Sequence, residues 1–273
     1  MIGDGIQDTY HTGDILGIAN EDPALKFRPT GMVTKKGGAA YCQALLQSFL
    51  PDYEIELFLT SHSHIQRFVD NKYKRVVLTV DTEPVEKYPY EVIANHALER
   101  FVKSWDPSVL YIWDDDRTPS LPSWVFRLSG LDALPVRGIY LDSSRKNTLG
   151  YPVVSYRKAS ETENILPQQN DHLLITTSAS KVEIINAWAL NPFARKGTLR
   201  PIDYLVPKSN KIVDTCGAGD TFFTAFCAAK EQGKELEEAI HYAISAASLS
   251  IEHNGCFLPS LQEIEDRQLE YYG

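Results

Sequence analysis

With 273 residues, 43% of them hydrophobic and 23% charged, the chain falls in the range of ordinary folded proteins and outside the disordered and collagen-like classes. Its 27 Lys and Arg against 36 Asp and Glu leave a net charge of -9, which argues against binding driven by a broad positive surface, whether to nucleic acid or to a membrane. No apolar run approaches the about 18 residues of a membrane span. The opening MIGDGIQDTYH has neither a positive start nor an apolar stretch, so a cytoplasmic chain is expected.

In chain order, residues 9–36 and 65–83 carry short alternating patterns broken by turn residues, with VVLTV flanked by charge in the second. Alternation with period two belongs to strands with one covered face, so these segments are read as a small antiparallel sheet, apart from the rest and serving as a lid. Tyr90 to Trp105 has helical spacing. Short apolar runs then end at polar residues: VLYIW at 109–113 before Asp114, GIYL at 138–141 before Asp142, and LLIT at 173–176 before Thr177 and Ser178. Such runs suit strands buried on both faces of a parallel sheet. Leu236 to Glu252 is again helical, with Ile240, Ala243, Ile244 and Ala247 on one side.

Strands alternating with helices predict an α/β fold, a doubly wound and mostly parallel sheet with helices on both faces. No Gly/Ser linker divides the chain, and a single domain over residues 1–273 is expected. Ligands bind such sheets beyond the carboxyl ends of the strands, where Asp114 and Asp142 fall. Each is either a site acid or the cap of a following helix. Cys42, Cys216, Cys227 and Cys256 lie far apart with no CxxC pair, which predicts reduced thiols in or near the core. His62 and His64 lie two apart and are read as solvent-facing rather than as metal ligands.

The segment richest in chemistry is VDTCGAGDTFF, Val213 to Phe223, followed by the apolar helical stretch TAFCAA. Gly217 and Gly219 let the backbone approach a ligand closely, and the helix behind them offers free N–H groups to an anion such as phosphate. Asp220 stands at the mouth of that helix, where a carboxylate can take a proton from an attacking hydroxyl. A cradle for the transferred group and a base for the nucleophile are what phosphoryl transfer needs. The plainer alternative is a glycine turn with Asp220 as an N-terminal cap.

Asp214, Thr215, Gly217, Ala218, Gly219 and Asp220 resemble the DTxGAGD signature of the ribokinase-like (PfkB) carbohydrate kinases. The resemblance implies a ribokinase-like α/β domain with a β lid, ATP and Mg²⁺ as cofactors, Gly217, Ala218 and Gly219 as the anion hole, and Asp220 as the base. Gly3, Asp4 and Asp8 are similar to the family's GDxxxD start, and Gly37, Gly38, Ala39 and Ala40 to its GGAA turn. Both would line the sugar site, together with Asp114 and with Tyr41, which stands where the family often has Asn. Glu21, Pro23 and the spacing to Gly37 resemble the heptose-7-phosphate kinase subfamily. Arg67, Lys72, Lys74 and Arg75 would then hold the second phosphate of such a sugar, or else protect a solvated edge strand.

By the same resemblance Lys158 and Glu161 match the PNxxE segment, Lys158 in place of Asn near the phosphates and Glu161 ordering Mg²⁺. Thr176 to Lys181 matches the TxGxxG nucleotide loop with both glycines replaced, which puts Thr176 and Ser178 beside the nucleotide, with Thr215. Ala246, Asn254 and Gly255 match the stretch that meets the base, while Ala247 is read as packing. A homodimer through the lid is expected, as is a small-molecule sugar or sugar phosphate acceptor. Two alternatives stand beside this reading: a kinase of another sugar or nucleoside, and a binding protein without catalysis.

Overall fold

The computed structural model describes residues 1–82, 109–114, 138–143, 154–163, 165–166, 171–186, 201–209 and 211–273. The expected helix from Tyr90 to Trp105 lies outside these. The described elements are β1 (Ile2–Ile18), β2 (Leu25–Gly37), α1 (Gly38–Phe49), β3 (Phe58–Asp70), β4 (Val76–Thr82), β5 (Val109–Asp114), β6 (Gly138–Ser143), β7 (Val154–Ser160), a single 3-10 turn (Glu161–Glu163), β8 (Asp171–Thr177), β9 (Lys181–Asn186), β10 (Ile202–Leu205), α2 (Ala218–Glu231), α3 (Leu236–Ser250) and α4 (Leu261–Tyr272).

The strands form one sheet in the order β10-β9-β8-β7-β6-β5-β1-β3-β4, with β2 added on β1. Its centre is parallel, from β3 through β1, β5, β6 and β7 to β8. The pairs β8–β9, β9–β10, β1–β2 and β3–β4 are antiparallel. The three short apolar runs thus become β5, β6 and β8, as double-sided burial predicts. The expectation of a lid apart from the main sheet is corrected. β1 is 17 residues long and crosses from the parallel centre, where it meets β5, into the lid, where it meets β2. Strand pairing continues without a break because β1 and β3 stay in parallel register from Ile2–Phe58 to Gly13–Asp70, with one shift after Gly3.

The core lies between one sheet face and α1, α2 and α3. Phe223 and Phe226 on α2 stack in parallel, 6.1 Å apart, and meet Tyr111 and Tyr156 of the strands. Helix α3 begins at Leu236 as its apolar spacing predicts and ends at Ser250. A capping box starts α4: the Ser260 hydroxyl accepts from Glu263 N–H, and the Glu263 carboxylate accepts from Ser260 N–H. Among the described residues no helix is long and apolar enough to cross a membrane.

Candidate active site

In a strand, neighbouring side chains face opposite ways, and residues paired across strands share a face. Trp113 pairs with Asp142, and Asp142 with Lys158, so these three stand in a row at the carboxyl ends of β5, β6 and β7. The N-terminus of α2 lies over that row. The Trp113 indole N–H donates to Asp220 Oδ1 at 2.9 Å, and Lys158 Nζ donates to both Asp142 oxygens at 3.0 and 3.3 Å. A Cβ added at Gly219 would come within 3.0 Å of Lys158 Nζ, so the ammonium rests against the glycine turn itself.

Burial pushes the Asp142 carboxyl up to about 7, against the pull of Lys158, and the Asp220 charge pushes the same way. Lys158 moves above the ordinary lysine range: burial opposes this, but the carboxylates of Asp142 and Asp220 outweigh it. The row is therefore a buried cation paired with Asp142 and within the field of Asp220, next to a helix N-terminus. Asp114 is not part of it. As the next residue along β5 it falls on the other sheet face, where the Ser143 hydroxyl donates to it. Of the two strand-end acids, Asp142 is the one brought to the turn.

Gly217 caps α2 with φ 76°, a left-handed conformation that glycine adopts without strain. The first helical bond runs from Thr221 N–H to Gly217 C=O, so the amides of Gly217, Gly219 and Asp220 precede the ladder and, among the described residues, are free to face an anion. Asp214 holds the turn from behind, accepting from Cys216 N–H and from Gly255 N–H, both at 2.9 Å. Tyr41 is corrected from a sugar contact to a brace. Its buried hydroxyl donates to Phe257 C=O and lies 2.8 Å from Thr221 Oγ1, and its ring packs under Gly217.

Asp4 and Asp8 lie in β1 and are buried next to the α1 start. Gly38 has φ 55°, and a Cβ there would strike the Asp4 carbonyl at 2.6 Å; one at Gly37 would meet Asp8 Oδ2 at 2.7 Å. Arg67 Nε donates to Asp8 Oδ1 at 3.0 Å. Burial raises the Asp8 pKa in spite of Arg67, and the charges of Asp220 and Asp214 add to the rise. Of the four basic residues of the lid, Arg67 turns to Asp8 and Lys72 covers the Tyr73 ring, while Lys74, with φ 54°, and Arg75 are exposed between β3 and β4. His64 meets Thr9 Oγ1 at 2.8 Å, a partner within the sheet.

The nucleotide-side expectations divide. Lys158 reaches the turn, but Ala246 is fully buried in the core and is corrected to packing. Gly255 is buried with φ 62°, and its missing Cβ leaves room for the Tyr10 ring, so it locks the 254–256 loop to β1 rather than facing a base. Asn254 is exposed, and its carbonyl accepts from Lys35 of β2. Thr215 is exposed at the turn, with its carbonyl accepting from Ala218 N–H. The backbone of Thr176 belongs to β8. The Ser178 hydroxyl is spent on the β8–β9 turn, donating to Lys181 C=O and accepting from Lys181 N–H. Glu161 is exposed and lies near Lys181; Glu163 is the carboxylate whose charge acts on Asp142 and Lys158.

Three residues of this arrangement carry no motif: Trp113, Asp142 as the Lys158 partner, and Glu163. Register along the row reveals the first two, since any residue opposite Lys158 across β6 and β5 must share its face. Nothing in the spacing marks Glu163.

Residues 165–263 match the family model described as pfkB family carbohydrate kinase. Among curated proteins, the ribokinase of Arabidopsis thaliana is 41% identical over 64 residues, which are 23% of this chain and 17% of that protein. The ribokinase of Bacillus subtilis is 46% identical over 56 residues, 20% of this chain and 19% of that protein. These matches therefore span less than a fifth of each curated relative. Solved structures are similar over nearly the whole chain. Phosphofructokinase-2 of Escherichia coli, in complex with substrates and products, gives a TM-score of 0.71 at 13% identity, covering 99% of this chain and 98% of that one. The nucleoside kinase of Methanocaldococcus jannaschii gives 0.65 at 16% identity over 99% and 97%. The ribokinase of Arabidopsis thaliana with ribose and ATP gives 0.63 at 16% identity over 98% and 97%. The fold is ribokinase-like, a mostly parallel α/β sheet with an antiparallel lid-like part.

Proposed function

We propose, for a chain whose residues 165–263 match the pfkB carbohydrate kinases and whose fold is ribokinase-like, that it transfers the γ-phosphoryl group of ATP to a hydroxyl of a small sugar. The observation that carries this reading is the joint placement of Asp220, the amides of Gly217, Gly219 and Asp220, and Lys158 at the start of α2. Asp220 Oδ1 is held by Trp113, which leaves Oδ2 to accept the proton of the sugar hydroxyl as its oxygen attacks phosphorus. The amides of Gly217, Gly219 and Asp220 then meet the charge that spreads over the equatorial oxygens, and Lys158 adds a full positive charge beside Gly219.

Mg²⁺ is a hard cation that takes carboxylate oxygen and water together with phosphate, and the carboxylates of Glu161 and Glu163, the latter with Oε2 accepting from Ser160 N–H at 2.8 Å, are the oxygen donors that would hold it here. When bound it would neutralise phosphate charge. Asp4 and Asp8, buried at the α1 turn, would receive sugar hydroxyls. A heptose 7-phosphate acceptor asks for a second phosphate site; of the basic lid side chains Arg67 is paired with Asp8 and Lys72 covers Tyr73, and this favours an unphosphorylated sugar. The lid is also the surface we assign to a homodimer, because Ile18, at the end of β1 beyond its pairing with β3, and Met32 of β2 are 67% and 69% exposed.

The test is ADP release with ATP and Mg²⁺ across pentoses, hexoses, nucleosides, fructose 6-phosphate and heptose 7-phosphate. The expected result is turnover on an unphosphorylated sugar. Turnover confined to phosphorylated sugars would overturn the acceptor assignment, and ligand binding without turnover on any of them would overturn the kinase reading.

A further inference from the structure

Cys216 and Cys256 come from segments 40 residues apart, yet the turn before α2 and the loop after α3 bring their side chains together. The two sulfurs and a carboxylate oxygen of Asp8 all lie within 4.8 Å of one another. Asp214 fixes both backbones at once through Cys216 N–H and Gly255 N–H, so the contact is built into the turn. The Cys256 sulfur also lies 3.4 Å from the position a Cβ would take on Gly217. By contrast, Cys42 and Cys227 are sealed in the core.

From this geometry we infer that Cys216 and Cys256 are an oxidisable pair that closes to a reversible disulfide under the phosphate-binding turn. Their charge environment supports the chemistry. A hydrogen bond from the Cys256 thiol, together with the Arg67 charge, lowers the Cys216 pKa and favours its thiolate, while the same contact and burial raise Cys256. A nucleophilic thiolate touching a protonated resolving thiol is the arrangement that disulfide formation needs. The buried Tyr10 hydroxyl lies against Cys216 and, among the described residues, has no other partner.

Hydrogen peroxide serves as the oxidant. The Cys216 thiolate attacks one peroxide oxygen, the O–O bond breaks, and hydroxide leaves, which gives a sulfenic acid. The Cys256 sulfur then attacks the Cys216 sulfur; the S–S bond forms, the S–O bond breaks, and the thiol proton leaves with the hydroxyl as water. Over both steps two thiols lose two electrons and two protons, and one peroxide becomes two waters. The new bond is about 2.05 Å long. Contracting the contact to that length draws Cys216, and with it Gly217, towards the 255–256 loop.

The experiment treats the full-length protein with millimolar peroxide, alkylates it without reduction, and maps the peptides by mass. The expected result is a 216–256 linked peptide, a fall from four alkylatable thiols to two in the unfolded product, and recovery of all four with dithiothreitol. Cys216→Ser and Cys256→Ser should each abolish the linkage, and a melting curve of each variant reports whether the fold persists. Separate irreversible oxidation of Cys216 with Cys256 still alkylatable would overturn the inference. So would protection of both thiols by zinc chloride with no linkage once zinc is stripped and peroxide added, which would make the cluster a metal site. The linkage is read without any activity, so it stands or falls apart from the kinase proposal; a reversible loss of phosphoryl transfer alongside it would join the two.

Discussion

On the helix-backed side of the sheet, α1, α2 and α3 bury Leu45, Phe49, Phe223, Phe226, Ile240 and Ile244 almost completely, whereas on the lid β2 and the outer parts of β1 and β4 leave Leu16, Ile18, Met32 and Leu78 about half or more exposed. Both regions touch the proposed site. The first supplies Asp220 and the amide turn, and the second supplies Asp8 and Arg67. The dry side can hold a cation and an acid in fixed geometry, because every displacement there costs packing. The open side has little packing of its own to spend on precision; besides the continuous β1, Lys35 to the 254–256 loop and Tyr10 under Gly255 tie it to the dry side.

The sharpest way to break this comparison is inside the dry row. Asp142→Asn removes the main partner of a buried ammonium, and stability should fall by about 3 kcal/mol, read by urea unfolding. The converse, Lys158→Met, should depend on pH. Asp142 has a folded pKa of about 7, above its unfolded value, so the native state keeps a proton that the unfolded chain releases. Its contribution to stability is therefore complete in acid and fades as pH rises towards 7. Without Lys158 the neutral acid is favoured further, so the deficit of Lys158→Met should be larger at pH 8 than at pH 5.

A test of the joint between the two regions comes next. Gly255→Ala adds a Cβ 2.6 Å from the Tyr10 ring at a residue with φ 62°, and should cost about 2 kcal/mol in unfolding experiments. Trp113→Phe keeps the apolar contact and removes the donor to Asp220 Oδ1; kcat should fall about tenfold with KM little changed. At the exposed start of α4, Ser260→Ala should cost only about 1 kcal/mol. The Glu263 carboxyl is held below its usual range by Ser260 N–H and hydroxyl, so this loss should shrink as pH falls through the acid range and Glu263 is protonated.

The same contrast explains what the sequence made legible. The short strands β5, β6 and β8 and the helix α3 are visible because full burial forces apolar runs of the right period. The turn at 217–220 is visible because left-handed Gly217 and the tight Gly219 leave few other residue choices. The lid was legible as strands but not as a continuation of the main sheet. Register between β1 and β3 depends on contacts 55 residues apart, which local patterns do not encode. Side-chain direction was the other gap. Choosing Asp114 over Asp142 follows from reading position along the chain where the deciding fact is which sheet face the residue occupies. Ala246 and Tyr41 fail for a related reason: small and aromatic residues fit a ligand or a core equally well, and only burial separates the two.

The most direct test of the central claim is to compare the parent protein with Asp220→Asn, following transfer of labelled γ-phosphate from ATP to the sugar that the substrate panel identifies, with ATP binding measured beside it. The account predicts a fall in kcat of about a hundredfold to ten-thousandfold, with nucleotide binding and melting temperature little changed. Undiminished transfer by the Asp220→Asn protein would contradict it.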